Sequence, residues 1–527
     1  MYLLPYPLRI VTGSVMASID RKAIDERGAP GLYLMERAGE GAAQGIFTAL
    51  PPEKRRRAAI LCGKGNNGGD GFVIARRLQE KGMAAAACLL SRGEELKGDA
   101  RTNFLLAREA GIRIVECESS DSLKEFFQAE AGAEVWVDAL LGTGSQGAPR
   151  GLIAEAIREL NNLPRKAFVA SVDIASGVDA DSGRVEGDAV YADATFTMGL
   201  PKVGHVVPPG LNYGKGLIIL DIGLPSDLLR NADSEAELLT AALIDSWLPK
   251  RGRSAHKGSE GHILIIAGSR GMTGAALLCS KAAIRMGAGL ATCVCPASLM
   301  PIYASGVWEM MTLPAPETDA GSLALEAFEW IFAEGKRYSA VVIGPGLGLH
   351  PSTQELARKV ALEIDSPLLI DGDGLSALSQ EILSARKHPW VVTPHPGEMG
   401  RLLGLSSAQV QADRWGCARR LASVSPHGTV LLKGPCTVIA QREGMMYVNP
   451  TGSPAMASGG MGDALAGTIG ALLARGMNPM QAAAAGAFLH GLAADLFTQE
   501  TGAETASAGQ VIDRLQQAVS HVRNTCH

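Results

Sequence analysis

Along the first part of the chain, short apolar runs bounded by glycines alternate with longer stretches of helical spacing. RAAILCG (57–63), VWVDALLG (135–142), AFVASVD (167–173), ATFTMG (194–199) and GLIILDIG (216–223) have the apolar character of buried strands, and DGFVIARRLQEKG (70–82) has a helical period. A helical stretch, MASIDRKAIDERGAPGLYLMERAGEGAAQGIF (16–47), precedes them. The alternation then lapses, because SDLLRNADSEAELLTAAL (226–243) is acidic and has no strand signal. It resumes with GHILIIAGS (261–269), a helix from about 273 to 287, and LATCVCP (290–296). AVVIGPGLG (340–348), PLLIDGDGL (367–375), WVVTPHPGE (390–398) and TVLLKGPCTVIA (429–440) follow, before the helical GGMGDALAGTIGALLARG (459–476). Strands taking turns with helices predict sheets with crossover helices, so the fold class is α/β, in two domains, 1–235 and 236–527. Each half has a glycine loop after its first strand, but the loops differ, and the halves read as unrelated domains.

Composition agrees with this division. At 527 residues, 46% hydrophobic and 20% charged, the chain is too long for one ordinary core. Its 63 glycines are scattered in short clusters, as strand-to-helix turns require. A net charge of −5 offers no reason to expect nucleic acid or an anionic membrane as partner. The longest apolar stretch, AAAAGAFLHGLAADLF (482–497), contains His490 and Asp495 and falls short of the ~18 residues of a membrane span, so it reads as a buried helix. Nine cysteines without a C-x-x-C pair, several inside apolar runs, predict reduced buried thiols. The N-terminal MYLLPYPLRIVTG lacks the basic start of a signal peptide, and a soluble cytoplasmic protein is expected.

GKGNNGGDG (63–71) stands between a strand and a helix, where backbone N–H groups and a helix N-terminus favour an anion such as phosphate. It has no Gly-Lys-Ser/Thr, so it is not the P-loop of a nucleotide hydrolase. Asp70 can bind a hydroxyl or cap the helix, and the Asn67 carbonyl can ligate a hard cation. Asp138, followed by the glycine loop 142–147, and Asp173 with Ser176 end two further strands. In open α/β sheets such strand ends meet on one rim.

In the second half, KGPCT (433–437) and SGGMGDALAG (458–467) form a second candidate phosphate site, with Lys433 as cation. Asp463 stands at that helix start, where a carboxylate acts as general base toward a hydroxyl or serves simply as a cap. TPHPGE sets His395 and Glu398 at a strand end, and GPGLG and DGDGL aim at the same rim.

The first set of motifs, with MERAG (35–39) and GLPKVGH (199–205), resembles the NAD(P)H-hydrate epimerase family over most of residues 10–225. The resemblance implies that Asn66, Asn67, Gly68, Gly69 and Asp70, with Gly142, Thr143, Gly144, Ser145, Gln146, Gly147 and Ala148, hold a hydrated nicotinamide nucleotide. It implies a potassium ion on Asn67, Asp138 and Ser176, and Asp173 as the catalytic group near the reacting carbon. Lys202 either assists or is a surface lysine. The second set resembles the ADP/ATP-dependent NAD(P)H-hydrate dehydratase family, related to ribokinase-like kinases, over about 240–520. Ala275, Gly346 and His395 would line the hydrate pocket with Asp463 as the catalytic residue. Lys433, Gly434, Pro435, Cys436, Thr437 and Gly462 would hold ADP or ATP with Mg2+. The family commonly has Pro at 175 and Asn at 453, where this chain has Ala175 and Ser453. Together the resemblances imply a Rossmann-like α/β/α sandwich joined to a ribokinase-like α/β domain, and a homo-oligomer is expected. Two other readings stay open: a vitamin-precursor kinase for the second domain, and a non-catalytic binding module for the first.

Overall fold

The structure is a computed structural model that describes residues 4, 6–164, 166–332 and 338–526. The chain divides into two compact units, Tyr2–Ala236 and Glu237–His527. In the N-terminal unit a two-residue strand, Arg9–Ile10, precedes α1 (Gly13–Asp25) and α2 (Gly31–Ala49), where the spacing predicts one helical stretch. Gly28, at a left-handed φ of +69°, and Pro30, with no N–H to donate, make the break.

Seven strands follow in one parallel sheet: β1 (Arg57–Cys62), β2 (Ala84–Leu89), β3 (Arg113–Glu116), β4 (Val135–Ala139), β5 (Phe168–Val172), β6 (Ala194–Met198) and β7 (Leu217–Leu220). Their spatial order is β3-β2-β1-β4-β5-β6-β7, the Rossmann order with a strand added at one edge. β2 and β3 lie outside the strands that the pattern predicts, since AAAACL is mostly alanine and RIVE is a half-exposed edge. Chain order reverses between β1 and β4, so the loops leaving those two strands part and open a crevice at their carboxyl ends. Helix α3 (Asn66–Glu80) follows β1 directly. One face of the sheet is closed by Trp136, fully buried and stacked on Phe127 with ring centroids 4.5 Å apart.

The C-terminal unit carries β8 (His262–Ile266), β9 (Leu290–Pro296), β10 (Met311–Ala315), β11 (Ala340–Ile343), β12 (Leu368–Ile370), β13 (Trp390–Val392), β14 (Gly428–Leu432), β15 (Val438–Gln441) and β16 (Met446–Val448). They lie side by side as β16-β15-β14-β13-β12-β11-β8-β9-β10, parallel from β14 to β10 and antiparallel beyond β14. KGPCT is therefore the turn of a hairpin between β14 and β15. The principal helices are α4 (Thr273–Arg285), α5 (Pro396–Leu403), α6 (Met461–Ala474), α7 (Pro479–Thr501) and α8 (Ala508–Cys526). Helix α6 lies tightly on α4, because a side chain at Gly467 would collide with the Cys279 carbonyl. The alanine-rich run forms the buried α7, and among the described residues no helix is long and apolar enough to cross a membrane. The acidic stretch 226–243 holds a short strand, Ala236–Leu238, that its composition conceals. The cysteines whose side chains are described are free thiols, all buried except the half-buried Cys436.

One buried charge secures this unit. Arg386 donates to the carbonyls of Ala361 (2.8 Å), Ile364 (2.8 Å), Ser366 (2.7 Å) and Pro389 (3.4 Å), closing the end of the helix Pro351–Glu363. Burial lowers its pKa to about 10. Arg386→Met keeps the stem but leaves these carbonyls unpaired, and it is expected to cost on the order of 3 kcal/mol. A melting temperature within a degree of the parent protein's would refute that role.

Candidate functional sites

In the N-terminal unit α3 starts at Asn66, with Gly65 as its N-cap. NNGGDG is therefore the first turns of the helix rather than a loop ahead of it, and Asp70 is an interior helical residue, not a cap. Its glycines chiefly seat the helix. A Cβ on Gly68 would collide with the Gly63 carbonyl, one on Gly69 would lie 2.7 Å from Met35 Sδ, and one on Gly71 would lie 2.8 Å from the Ala139 side chain. This seating brings Asn67 to the crevice. Asn67 Nδ2 donates to the Leu141 carbonyl (3.0 Å), while Oδ1 is buried without a hydrogen-bond partner.

Asp138, fully buried at the end of β4, accepts from Ser176 Oγ (2.6 Å), Ser176 N–H (2.9 Å) and Ser171 Oγ (2.7 Å). Burial pushes its pKa up in spite of these donors. Ser176 Oγ also accepts from the Leu141 N–H (2.9 Å), so Asn67, Asp138 and Ser176 gather around Leu141.

Asp173 leaves β5 in the left-handed region, φ +66°, uncommon for a residue with a side chain. Its Oδ1 accepts from Lys202 Nζ (2.7 Å) and Thr197 Oγ1 (3.2 Å), and its Oδ2 from the Thr143 N–H (3.3 Å). Burial alone would raise its pKa, but the Lys202 charge prevails and holds the carboxyl below its ordinary range. Lys202 is fully buried, which overturns the surface reading. His205 is neutral: its Nδ1 accepts the Lys202 N–H (3.0 Å), its Nε2–H donates to the Asp173 carbonyl (2.9 Å), and burial lowers its pKa to about 4. Burial, then the charges of Asp173 and Asp20, push Asp70 well above the carboxylate range. Asp20 on α1 is itself raised to about 6, by burial first. Two carboxyls of this crevice are thus pushed in opposite directions, Asp173 down and Asp70 up, the arrangement that acid–base chemistry uses.

The loop after β4 joins this group at its start. A Cβ on Gly142 would lie 3.4 Å from Asn67 Cβ and 3.5 Å from Asp173 Oδ2. Ser145 and Gly147 line a small cavity with Ser176 and Arg184. Asn66, Gly144 and Gln146 face solvent, and Ala148 is half-buried beside Gly187.

In the C-terminal unit Lys433 Nζ donates to Asp371 Oδ1 (2.7 Å), and Glu398 Oε2 lies 3.9 Å away. Burial would lower the Lys433 pKa, but Asp371 and Glu398 raise it. Asp371 is buried and also accepts from Thr393 Oγ1 (2.6 Å). Helix α6 is capped by Gly460 at φ +86°, which frees Asp463 from the capping role. Burial, reinforced by Asp371 and opposed by Lys433, raises the Asp463 pKa to about 6. A Cβ on Gly462 would lie 3.6 Å from both Asp371 Oδ2 and Lys433 Nζ, so the first turn of α6 faces that ion pair.

The hairpin turn bends sharply at Gly434 (φ +135°) and Cys436 (φ +47°), where Thr437 Oγ1 donates to the Gly434 carbonyl (2.8 Å) and Pro435 is exposed. His395 is the N-cap of α5: its Nδ1 accepts from the N–H groups of Gly397 (3.0 Å) and Glu398 (3.3 Å), and Glu398 Oε2 accepts the His395 N–H (2.7 Å). Its Nε2 lies 3.6 Å from Glu398 Oε1, and the His395 side chain is 56% exposed. Ala275 and Gly346 touch, since a Cβ on Gly346 would lie 2.8 Å from that of Ala275. Ser453 Oγ is buried without a partner.

Sequence reasoning names no role for Asp20, Thr197, His205 or Asp371. Of these Asp371, an acid followed by glycine at a strand end, and His205, the last residue of GLPKVGH, carried a local signal.

Two α/β units with charged clusters at strand carboxyl ends define a two-site enzyme directed at nucleotides. The family described as NAD(P)H-hydrate dehydratase matches residues 263–517, and YjeF-related protein N-terminus matches residues 31–204. The bifunctional NAD(P)H-hydrate repair enzyme of Moorella thermoacetica is 40% identical over 509 residues, covering 96% of each chain. That of Escherichia coli is 35% identical, covering 95% of this chain and 92% of its own. A crystal structure of the ADP/ATP-dependent NAD(P)H-hydrate dehydratase from Bacillus subtilis, with ATP and Mg2+, is 32% identical with a TM-score of 0.48, covering 54% of this chain and 97% of its own. The chain belongs to the bifunctional NAD(P)H-hydrate repair enzyme family.

Proposed function

We propose that the chain repairs hydrated nicotinamide nucleotides, interconverting the R and S hydrates at the N-terminal site and dehydrating the S form at the C-terminal one. Family membership over both halves supports the pair of activities. The single observation that carries the division of labour is the acid pairing. Asp70 and Asp173 are pushed apart in pKa in the first unit, and Asp463 stands beside Lys433 in the second.

Water added across the C5=C6 bond of the reduced ring leaves a hydroxyl on C6, next to the ring nitrogen. The Asp173 carboxylate would take the proton of that hydroxyl as the C6–N bond breaks to leave a carbonyl at C6, and the Asp70 carboxyl would give a proton to the ring nitrogen. Reclosure on the other face of the carbonyl, with both protons returned, gives the other epimer. Lys202 keeps Asp173 ionised, and His205 holds the Asp173 backbone in its left-handed turn. The buried, unpartnered Oδ1 of Asn67, the Asp138 carboxylate and Ser176 Oγ are all oxygen donors and fit a potassium ion, which would balance substrate phosphate when bound.

At the C-terminal site Asp463 would remove the proton from the C6 hydroxyl as its oxygen attacks the terminal phosphoryl group of ADP or ATP. The C6–O bond then breaks with phosphate as leaving group, a proton is lost from C5, and the C5=C6 bond returns. The N–H groups at the start of α6 and the KGPCT turn would hold the phosphates, with Lys433 as counter-charge. Asp371 and Glu398, oxygen donors converging on Lys433, fit a magnesium ion carried in with the nucleotide. His395, exposed at the start of α5 with its ring held by Glu398, would orient the nicotinamide ring.

A mixture of R and S NADH hydrates with ADP and potassium tests the reading. Complete recovery of NADH, faster than the hydrates interconvert unaided, is expected; recovery of the S portion alone would remove the N-terminal assignment. Asn67→Ala is expected to weaken the potassium dependence of epimerisation about tenfold and to leave ADP-driven dehydration unchanged. Equal potassium dependence in both proteins would exclude Asn67 as a ligand.

A further inference from the structure

Within the C-terminal unit, at the end of α6 away from Asp463, lies a cavity of about 600 Å³. It sits at the C-terminal ends of α4 and α6, beside α8, and is lined by Arg251, Lys281, Arg285, Arg475 and Arg523, with Trp308 among its wall residues. These five cations share few counter-charges. Arg251 and Arg475 both reach Glu260 (3.2 and 3.1 Å), and Lys281 and Arg285 both reach Asp513 (2.9 and 3.8 Å). Glu309 is the one carboxylate in the lining itself.

Some of the arginines close helix ends. Arg251 donates to the Gly287 carbonyl (2.8 Å), and Arg475 and Arg523 both donate to the Pro249 carbonyl (3.2 Å each). Capping does not account for their crowding. The side chain of Arg475 is 9% exposed, and burial together with the charges of Arg251 and Arg523 depresses its pKa against the pull of Glu260. Arg523 Nε is buried with no hydrogen-bond partner. At the same cavity Trp308 is 89% exposed, a large aromatic surface left to solvent beside concentrated positive charge.

We propose that this cavity binds a phosphate-bearing nucleotide, its phosphates against Arg475, Arg523 and Lys281 and its base stacked on Trp308. Guanidinium forks match phosphate oxygens, an indole face suits a base, and the volume suits a ligand of nucleotide size. The site is distinct from that at Lys433 and makes the unit responsive to the level of a nucleotide it also handles.

Equilibrium dialysis of the full chain with ADP is expected to show two classes of binding site where the dehydratase site alone gives one. Lys281→Gln with Arg523→Gln should weaken one class at least tenfold while ADP-driven turnover at saturating substrates persists. Trp308→Phe should abolish the quenching of tryptophan emission that accompanies this class; Trp308 is exposed enough for the change to spare the fold. NADP+ in place of ADP distinguishes a dinucleotide from a mononucleotide source. A single class of ADP site unaffected by the double variant would overturn the proposal. So would inorganic triphosphate binding the cavity as tightly as ADP with Trp308 emission unmoved, because the base would then contribute nothing.

Discussion

Asp463→Asn is expected to lower the kcat of ADP-driven dehydration about a thousandfold and to leave interconversion of the R and S hydrates unchanged. The side chain is freed from helix capping by Gly460 and stands with Gly462 and Lys433 at the start of α6. Its pKa of about 6 places it near the optimum for a general base at neutral pH, so turnover should rise from pH 5 to pH 7. Stability should move the other way. The folded pKa lies above the ordinary 3.8, so the folded state binds protons more tightly than the unfolded chain. The resulting stabilisation is full below about pH 4 and is lost as pH rises through about 6. Allowing for its half-buried position, this amounts to about 1–2 kcal/mol. The asparagine variant should therefore melt no earlier than the parent at pH 7.5 while being inactive as a dehydratase. An early-melting variant that retains a tenth of the activity would reduce Asp463 to a structural residue.

Lys202→Met is expected to abolish epimerisation and to cost about 3–5 kcal/mol at neutral pH, because it leaves the Asp173 carboxyl buried and without its counter-charge. In the parent, Asp173 has a depressed pKa, so its contribution is present above about pH 4 and lost as pH falls below that. Without Lys202 the carboxyl must protonate, and the deficit in melting temperature should therefore shrink on acidification from pH 7.5 to pH 5. Adding Asp173→Asn should restore much of the stability, since asparagine tolerates the φ of +66° and carries no charge. It should restore none of the activity. If the double variant stays as unstable as Lys202→Met, or if Lys202→Met epimerises normally, the ion pair is not the working part of the site.

Much of the architecture was legible in the order of the residues. The strands β1, β4, β5, β6 and β7 and most strands of the second unit read directly from apolar runs ended by glycine, because a strand buried on both faces leaves little room for polar side chains. β2 was not legible, since alanine suits helix and strand alike. The start of α3 was not either: two asparagines and two glycines read as a loop, yet packing against Gly63, Met35 and Ala139 makes them helical.

The sequence by itself determined the two α/β halves, the acids at their strand ends and the motifs that place the chain in its family. Tertiary structure alone decided which charges meet. Lys202 is 29 residues from Asp173 and Asp371 is 62 from Lys433, and nothing in local spacing joins them. Parallel strands bring their carboxyl ends to one rim, and the switch in strand order opens the crevice there. Once the rim excludes water, an unpaired carboxylate costs far more than a paired one. Burial raises the pKa of Asp70 while the Lys202 charge lowers that of Asp173, a difference that depends on distances and desolvation, which exist only in the folded chain.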